Sequence, residues 1–429
     1  MRGPGSALVT TAGLPAPAGV EDRGPRRPGR VSAHGVLLLV VSLLTAASAV
    51  RGLRLGFAGL LVHPYLIPLL LLGLGIGLRR LPLFPVQILE PLLLFTALYC
   101  GATLPAGVDV QEMLKMAAAV ATVVIAAIVV RSSSDFRIAV LGLAVASTLL
   151  SIRGLVSGTG DVTGINPLEE VANKNAFSLY VLPAVLLASY LFLDRSTSRW
   201  LRIALVACVL ATTVAVFSSA NRSGWLGVLL IAVMLYGQRR RLRTTLLLAV
   251  LAAGTYYGLT RFSSTTALEY RWELTFSGYS SDELRRELFT TALEIGLEHP
   301  FLGVSPQRLP FELARRVGFI MPAVDPHNVV GQIVGGCGLI VFAVFVWLGR
   351  ALWHRPPALA RLPRGARQRN AHNLLRMMLA LWLVRGMFSR EVLYAPGFSL
   401  GLGLVIGLCI AEGVWRRRRP LRDLAAPAT

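Results

Sequence analysis

About twelve apolar stretches, most of them near twenty residues long, cross this chain, and they limit its fold more than anything else in it. A bilayer core of ~30 Å takes ~20 apolar residues per helix. Inside lipid a backbone can satisfy its own polar groups only as helices or as a closed barrel. The runs here are continuous and lack the two-residue alternation of barrel strands, so helices are expected. The fold class read from the sequence is an all-α membrane protein of about twelve transmembrane helices, with one large extracytoplasmic loop that contains short amphipathic helices. The spans fall at 35–50, 56–78, 84–104, 113–130, 136–155, 173–193, 200–218, 221–238, 244–260, 327–353, 373–390 and 396–414. They divide the chain into a basic cytoplasmic tail (1–34), an N-terminal transmembrane bundle (35–260), the outer loop (261–326), C-terminal transmembrane helices (327–414) and a second basic tail (415–429).

The charge pattern gives an orientation. The formal net charge is +21, which in a soluble protein would point to nucleic acid. Here the basic residues alternate between the connections instead. Arg79-Arg80, Arg131 with Arg137, Arg195 to Arg202, Arg239 to Arg243, Arg355 to Arg369 and Arg416 to Arg419 all fall on one side, and the other side is poor in them. This is the positive-inside rule at work, and it excludes a nucleic-acid partner as the explanation. It also predicts a multi-pass protein with 261–326 on the extracytoplasmic face. Cys100, Cys208, Cys337 and Cys409 lie in or beside apolar runs without paired spacing, so neither disulfides nor a zinc site is expected. The first 34 residues are rich in Pro, Gly and Arg and have no apolar signal core; they read as a disordered cytoplasmic tail.

The outer segment has internal order. From Glu283 to Leu297 the apolar residues Leu284, Leu288, Phe289, Ala292, Leu293 and Ile295 follow a helical period, which predicts an amphipathic helix against the membrane surface. His299-Pro300 should end it, Gly303 to Pro306 reads as a turn, and a second short helix is expected from Pro310 to Arg316.

Few residues in such a chain can carry chemistry. Arg222, in Ser218-Ser219-Ala220-Asn221-Arg222-Ser223-Gly224-Trp225, lies between two apolar runs near the outer surface. It is either an interfacial arginine reaching for headgroups or a phosphate ligand, whose planar fork matches phosphate oxygens. The small polar neighbours of Arg222, Asn221 among them, favour the second. Arg285 and Arg286 either pair with Glu287 or Asp282 on a solvated face or face a bound anion. His327 opens an apolar run between Asp325-Pro326 and Asn328. A histidine at a helix N-terminus has its pKa lowered by the helix dipole and stays neutral, which suits a general base; the bland alternative is a structural histidine. Gly331, Gly335, Gly336 and Gly338 just beyond it read as packing glycines. There is no Walker loop, dinucleotide fingerprint or His-Glu-x-x-His, so no cofactor and no metal are expected.

Taken in order, these pieces resemble the O-antigen ligase and polymerase superfamily. They are Ser-Ser-Ala-Asn221-Arg222-Ser-Gly-Trp225, Arg285-Arg286-Glu-Leu-Phe289, Glu298-His-Pro-Phe-Leu-Gly303, and His327-Asn328 with Gln332 and Gly338. Asn173-Lys174-Asn175 resembles the family's asparagine-bearing segment. Phe289 stands where the family usually has Trp, and Ser305 replaces the second glycine after His-Pro. Spacing to Phe289 favours Arg285 over Arg286 as the family's second arginine. The resemblance implies a metal-independent glycosyltransferase that takes a glycan from an undecaprenyl-diphosphate-linked oligosaccharide. The acceptor would be lipid A core or a second lipid-linked glycan. Arg222 and Arg285 would offset charge on the diphosphate, His327 would act as base, and Arg286, Asn328, Asn221 and Asp325 would help bind substrate. Asp325 could also orient the imidazole. Membrane lipid surrounds the whole, and an apolar groove between helices would take the polyprenyl tail.

Two other readings stay open. A protein O-oligosaccharyltransferase of the same family differs only in its acceptor. A transporter or flippase of lipid-linked sugars would also be polytopic, but should line a path with charges in mid-helix. Here the polar groups gather on one face, with Arg385 as the exception.

Overall fold

The computed structural model describes residues 33–47, 55–57, 60–107, 110–157, 160–161, 164–165, 174–194, 196–219, 221–236, 241–262, 281–318, 323–354 and 365–415. The basic tails 1–32 and 416–429, and Asn173 of the asparagine-bearing segment, lie outside them.

Among the described residues the architecture is helical, apart from two very short hairpins. The helices are α1 (Ala33–Ala47), α2 (Leu66–Leu72), α3 (Val86–Gly101), α4 (Val110–Val129), α5 (Ser133–Ser157), α6 (Lys174–Leu193), α7 (Arg199–Ser218), α8 (Arg222–Tyr236), α9 (Arg241–Phe262), α10 (Ser281–Glu298), α11 (Leu309–Val317), α12 (Val329–Trp353), α13 (Ala366–Gly386) and α14 (Pro396–Ala411). Four of them, α4, α5, α7 and α12, are long and apolar enough to cross a membrane, and seven shorter apolar helices of 10–17 residues accompany them. Among the described residues four helices thus meet the length and composition that crossing requires, and the expected count of twelve is not reached by that measure alone.

The run 56–78 departs from expectation. Leu55–Phe57 (β1) pairs antiparallel with Leu60–Val62 (β2), helix starts only at Leu66, and it passes through a π-helical turn (Gly73–Gly77) into a 3-10 turn (Leu78–Leu83). Pro64 precedes the helix, and Gly73, Gly75 and Gly77 weaken its end, each costing roughly 1 kcal/mol relative to alanine in a helix. The other hairpin, Gly160–Asp161 with Gly164–Ile165, lies between α5 and α6.

One large apolar core runs through the bundle, from Leu38 and Tyr65 to Leu404 and Cys409. α14 is buried deep within it, on α4 and α6. A Cβ at Gly397, Gly403 or Gly407 would fall 2.7–2.8 Å from the carbonyl oxygens of Tyr180, Val123 and Ala127, so the glycines let those backbones touch.

The segment after α9 forms a second, smaller core. Leu288, Ala292 and Ile295 of α10 close against Leu309, Leu313 and Ala314 of α11 and against Val324. The expected apolar face of α10 is real, but it packs on protein, α11 and α12, and not on a membrane surface. Burying each large aliphatic side chain contributes about 1.5–3 kcal/mol, which a helix lying alone on lipid headgroups would not gain from its own chain. Arg316 pairs with both Glu298 and Glu312, tying the C-terminal ends of α10 and α11 together.

α12 is broken where the turn after α10 meets it. Gly338 has φ 83° and ψ 174°, far from helical values. Around the break the 300–304 turn takes over the helix's backbone partners: Leu339 N–H donates to Pro300 O (2.7 Å) and Val304 N–H donates to Gly335 O (3.1 Å). A backbone group left unpaired at this depth would be costly, so the turn and the break require one another. Gly303 (φ 63°) lies so close that its Cβ would fall 2.4 Å from the Gly336 carbonyl carbon. Gly335, Gly336 and Gly338 of α12 are thus the seat of the 299–306 turn.

Candidate active site

The segment Asp325-Pro326-His327-Asn328 forms a tight, self-bonded turn at the mouth of α12. Asp325 Oδ1 accepts from the backbone N–H of His327 at 2.8 Å. Asn328 is the N-cap of α12: its Oδ1 accepts from Gly331 N–H at 2.5 Å, and its Nδ2 donates to Pro326 O at 3.1 Å. Helix therefore starts at Val329, two residues later than expected, and His327 stands just ahead of the cap. Its φ is +55°, in the left-handed region, which for a residue with a side chain costs of order 1–2 kcal/mol. Such strain persists only where the surroundings enforce it.

The surroundings come from three other elements. Arg390 opens a 3-10 turn, Arg390–Leu393, between α13 and α14. Its Nε stands 2.6 Å from Asp325 Oδ2, and its Nη1 donates to Gln332 Oε1 at 3.3 Å. Gln332, fully buried on α12, donates in turn from Nε2 to Pro306 O at 3.4 Å. One chain of contacts thus joins the 390s turn, α12 and the turn after α10. From α10, Arg285 is half-buried and reaches His327 electrostatically, whereas Arg286 faces solvent. Of the tandem arginines, Arg285 is thus the one whose charge acts on His327.

Burial pushes the His327 pKa below its ordinary 6.5; Arg285 and Arg390 push the same way, and Asp325 pulls against them. The direction is the one expected, but burial and two arginines are its causes. Asp325 grips the histidine's backbone and not, as expected, its ring. Burial works against the charge on Arg390, yet Tyr394, Asp325, Glu112 and Tyr99 around it outweigh that and raise its pKa. Burial likewise raises the pKa of Glu391, with Asp325 adding to the rise.

Asn221 and Arg222 sit at the start of α8. Asn221 is buried as a cap: its Oδ1 accepts from Ser223 N–H (3.2 Å), Gly224 N–H (3.3 Å) and the Ser223 hydroxyl (2.7 Å), and its Nδ2 donates to Ser178 Oγ at 3.2 Å. Those partners give Asn221 and Asn328 alike a structural duty toward the backbone. Phe217 stacks on Trp225 (centroids 5.6 Å apart), closing the α7–α8 corner. The backbone of Arg222 is the first residue of α8; its side chain lies outside what the structure describes.

An apolar groove of about 480 Å³ lies between α3, α4, α12, α13 and α14. Phe95, Met116, Phe345, Trp382 and Leu402 line it, and Leu393, in the same turn as Arg390, lines it too. Among the described residues no cluster of three or more His, Cys, Asp or Glu could hold a metal ion.

Residues 206–346, from mid-α7 to mid-α12, match the family described as O-antigen ligase. This match supports the resemblance to the O-antigen ligase and polymerase superfamily. The matched segment of this O-antigen ligase-like protein holds Asn221, Arg222, Arg285, Arg286, Asp325, His327 and Asn328, and stops short of Arg390. Curated proteins yield no match to the chain. That family is one of glycosyl-transferring ligases and polymerases, and the apolar helices of this chain fit an integral membrane protein.

Arg390 is the residue that sequence reasoning missed. The available signal was an Arg-Glu pair, Arg390-Glu391, in a short connection on the side that the positive-inside rule leaves poor in basic residues.

Proposed function

We propose that this protein is a glycosyltransferase of the extracytoplasmic membrane face, moving a glycan from undecaprenyl diphosphate to an acceptor hydroxyl. One observation carries the reading: His327, of lowered pKa, sits where α10 and the 390s turn bring Arg285 and Arg390 within electrostatic reach. A neutral imidazole at physiological pH can accept a proton, and arginines nearby can stabilise an anion that grows during reaction.

The step balances without a cofactor. The acceptor oxygen attacks the anomeric carbon while its proton passes to His327. The bond from that carbon to the diphosphate oxygen breaks, and its electron pair leaves with the lipid diphosphate, against Arg285 and Arg222. With no enzyme nucleophile the configuration inverts. The apolar groove that begins at Leu393 suits a polyprenyl tail. The acceptor class is lipid A core or another lipid-linked glycan, as the family suggests.

The test is transfer by the purified protein from undecaprenyl-diphosphate oligosaccharide in the presence of EDTA, comparing wild type with His327→Ala and Arg285→Ala. Acceptors would be lipid A core, a second lipid-linked repeat and a serine-containing protein. Product that resists EDTA and disappears in both variants is expected. Unchanged transfer by His327→Ala would refute the assignment of the base. Movement of lipid-linked sugar across proteoliposomes without transfer would establish a flippase.

A further inference from the structure

A histidine in left-handed backbone conformation needs a restraint, and here one anchor comes from outside its own turn. Asp325 holds the His327 N–H through Oδ1, which leaves Oδ2 free to be held in its turn. Arg390 Nε lies 2.6 Å from that Oδ2. The same guanidinium reaches Gln332, one turn into α12, so Arg390 clamps both flanks of the His327–Asn328 junction. The pair is partly withdrawn from water, with side-chain exposures of 26% for Arg390 and 30% for Asp325, so solvent screens it less than a surface pair. The turn bearing Arg390 is itself fixed: Trp382 Nε1 of α13 donates to Val392 O at 3.2 Å, and Val392 is fully buried. Nothing in the match to residues 206–346 extends to this turn.

We propose that Arg390 is a positioning residue for His327, setting the Asp325-Pro326-His327 turn so that the imidazole is presented on the side of Arg285. It acts through Asp325 and Gln332 and need not touch substrate. This inference rests on the reading of His327 as the general base. A lysine at 390 can still pair with Asp325 but lacks the second arm to Gln332. Glutamine keeps much of the size and removes the charge.

The charged groups that face His327 are Asp325 from its own turn, Arg285 from α10 and Arg390 from the 390s turn. Two substitutions therefore move its titration in opposite directions. Arg390→Gln removes a positive neighbour and should shift it to higher pH. Asp325→Asn removes the negative one, keeps an oxygen for the His327 N–H, and should shift it to lower pH. A general loosening of the fold would not produce opposite shifts.

The experiment uses the full chain in detergent and reads His327 in two ways. The first is the pH dependence of its modification by diethyl pyrocarbonate, which attacks neutral imidazole, followed on the His327 peptide by mass spectrometry. The second is the kcat and KM of glycan transfer. Expected are the two opposite titration shifts, with Arg390→Lys close to wild type. In Arg390→Gln, kcat should fall on the order of 10²-fold, the loss typical of a misplaced catalytic group, with little change in KM for the lipid-linked donor. Wild-type modification profiles in both Arg390→Gln and Asp325→Asn would overturn the inference. So would an Arg390→Gln defect confined to donor KM, which would make Arg390 a phosphate ligand. The modification profile does not depend on transfer. If His327→Ala retains transfer, the catalytic reading fails while the positioning of His327 is still decided by its own titration.

Discussion

Gly338→Ala should undock the whole segment from α10 to α11, and its size can be worked from the geometry. At φ 83° and ψ 174° the backbone lies where essentially only glycine is comfortable, and a side chain there costs of order 2 kcal/mol. The added Cβ would also lie 2.7 Å from the carbonyl carbon and oxygen of Phe301 and 2.8 Å from Gly303 N. These are backbone atoms, so no rotamer change relieves the contact, and forced overpacking of this kind costs about 2 kcal/mol more. Together the terms reach about 4 kcal/mol, close to a 10³-fold change in the docking equilibrium at 1.4 kcal/mol per tenfold. Relief would come by letting the 300–304 turn leave, with loss of the Leu339–Pro300 and Val304–Gly335 hydrogen bonds. The assay is limited trypsin cleavage at Arg315, whose side chain is 72% exposed, under conditions where the rate follows the open population. The control is Gly349→Ala, also on α12, where an added Cβ meets nothing within 4 Å. Cleavage at least 10²-fold faster in Gly338→Ala, with Gly349→Ala at wild type or slower, is expected. Equal rates in the two variants would refute the docked-turn account of the helix break.

Further outcomes follow from the same geometry. Ser305, where the family has glycine, holds φ 80°, so Ser305→Gly should stabilise the turn by about 1 kcal/mol and slow the same cleavage. Asn328→Ala should lower the unfolding free energy by about 1 kcal/mol through loss of the α12 cap, and Asn328→Asp should retain the cap. With the His327 pKa lowered in the folded state, transfer should hold down through pH 6.5 and fall only below it. The sign for stability is the same: His327's contribution is complete above pH 6.5 and is lost as pH falls toward its folded pKa, which unfolding titrations would detect.

Much of the helical framework was legible because its causes are local. Apolar runs impose helices on any chain that must close its own hydrogen bonds in lipid, and the starts of α6, α7, α8 and α14 follow from them. The end of α10 was legible from a local signal too, since Pro300 stops the helix, whereas the Gly318 cap of α11, at φ 70°, was not read from the sequence. The candidate site residues Arg285, Asp325 and His327 stood out because charge is rare beside apolar runs. What the chain could not show is where its surfaces meet. The periodicity of α10 announced an apolar face, and only packing decided that Leu288, Ala292 and Ile295 cover α11 and α12 and not lipid. Four glycines in α12 looked like packing residues, and only the approach of the 299–306 turn made one of them a helix break. Arg390 lies 63 positions beyond His327 and meets its turn solely through the arrangement of α12, α13 and α14. Helix and cap depend on neighbours within about four residues, so a sequence determines them by itself. A restraint on a strained histidine depends on which distant backbone closes the gap, and that is decided only when the helices pack.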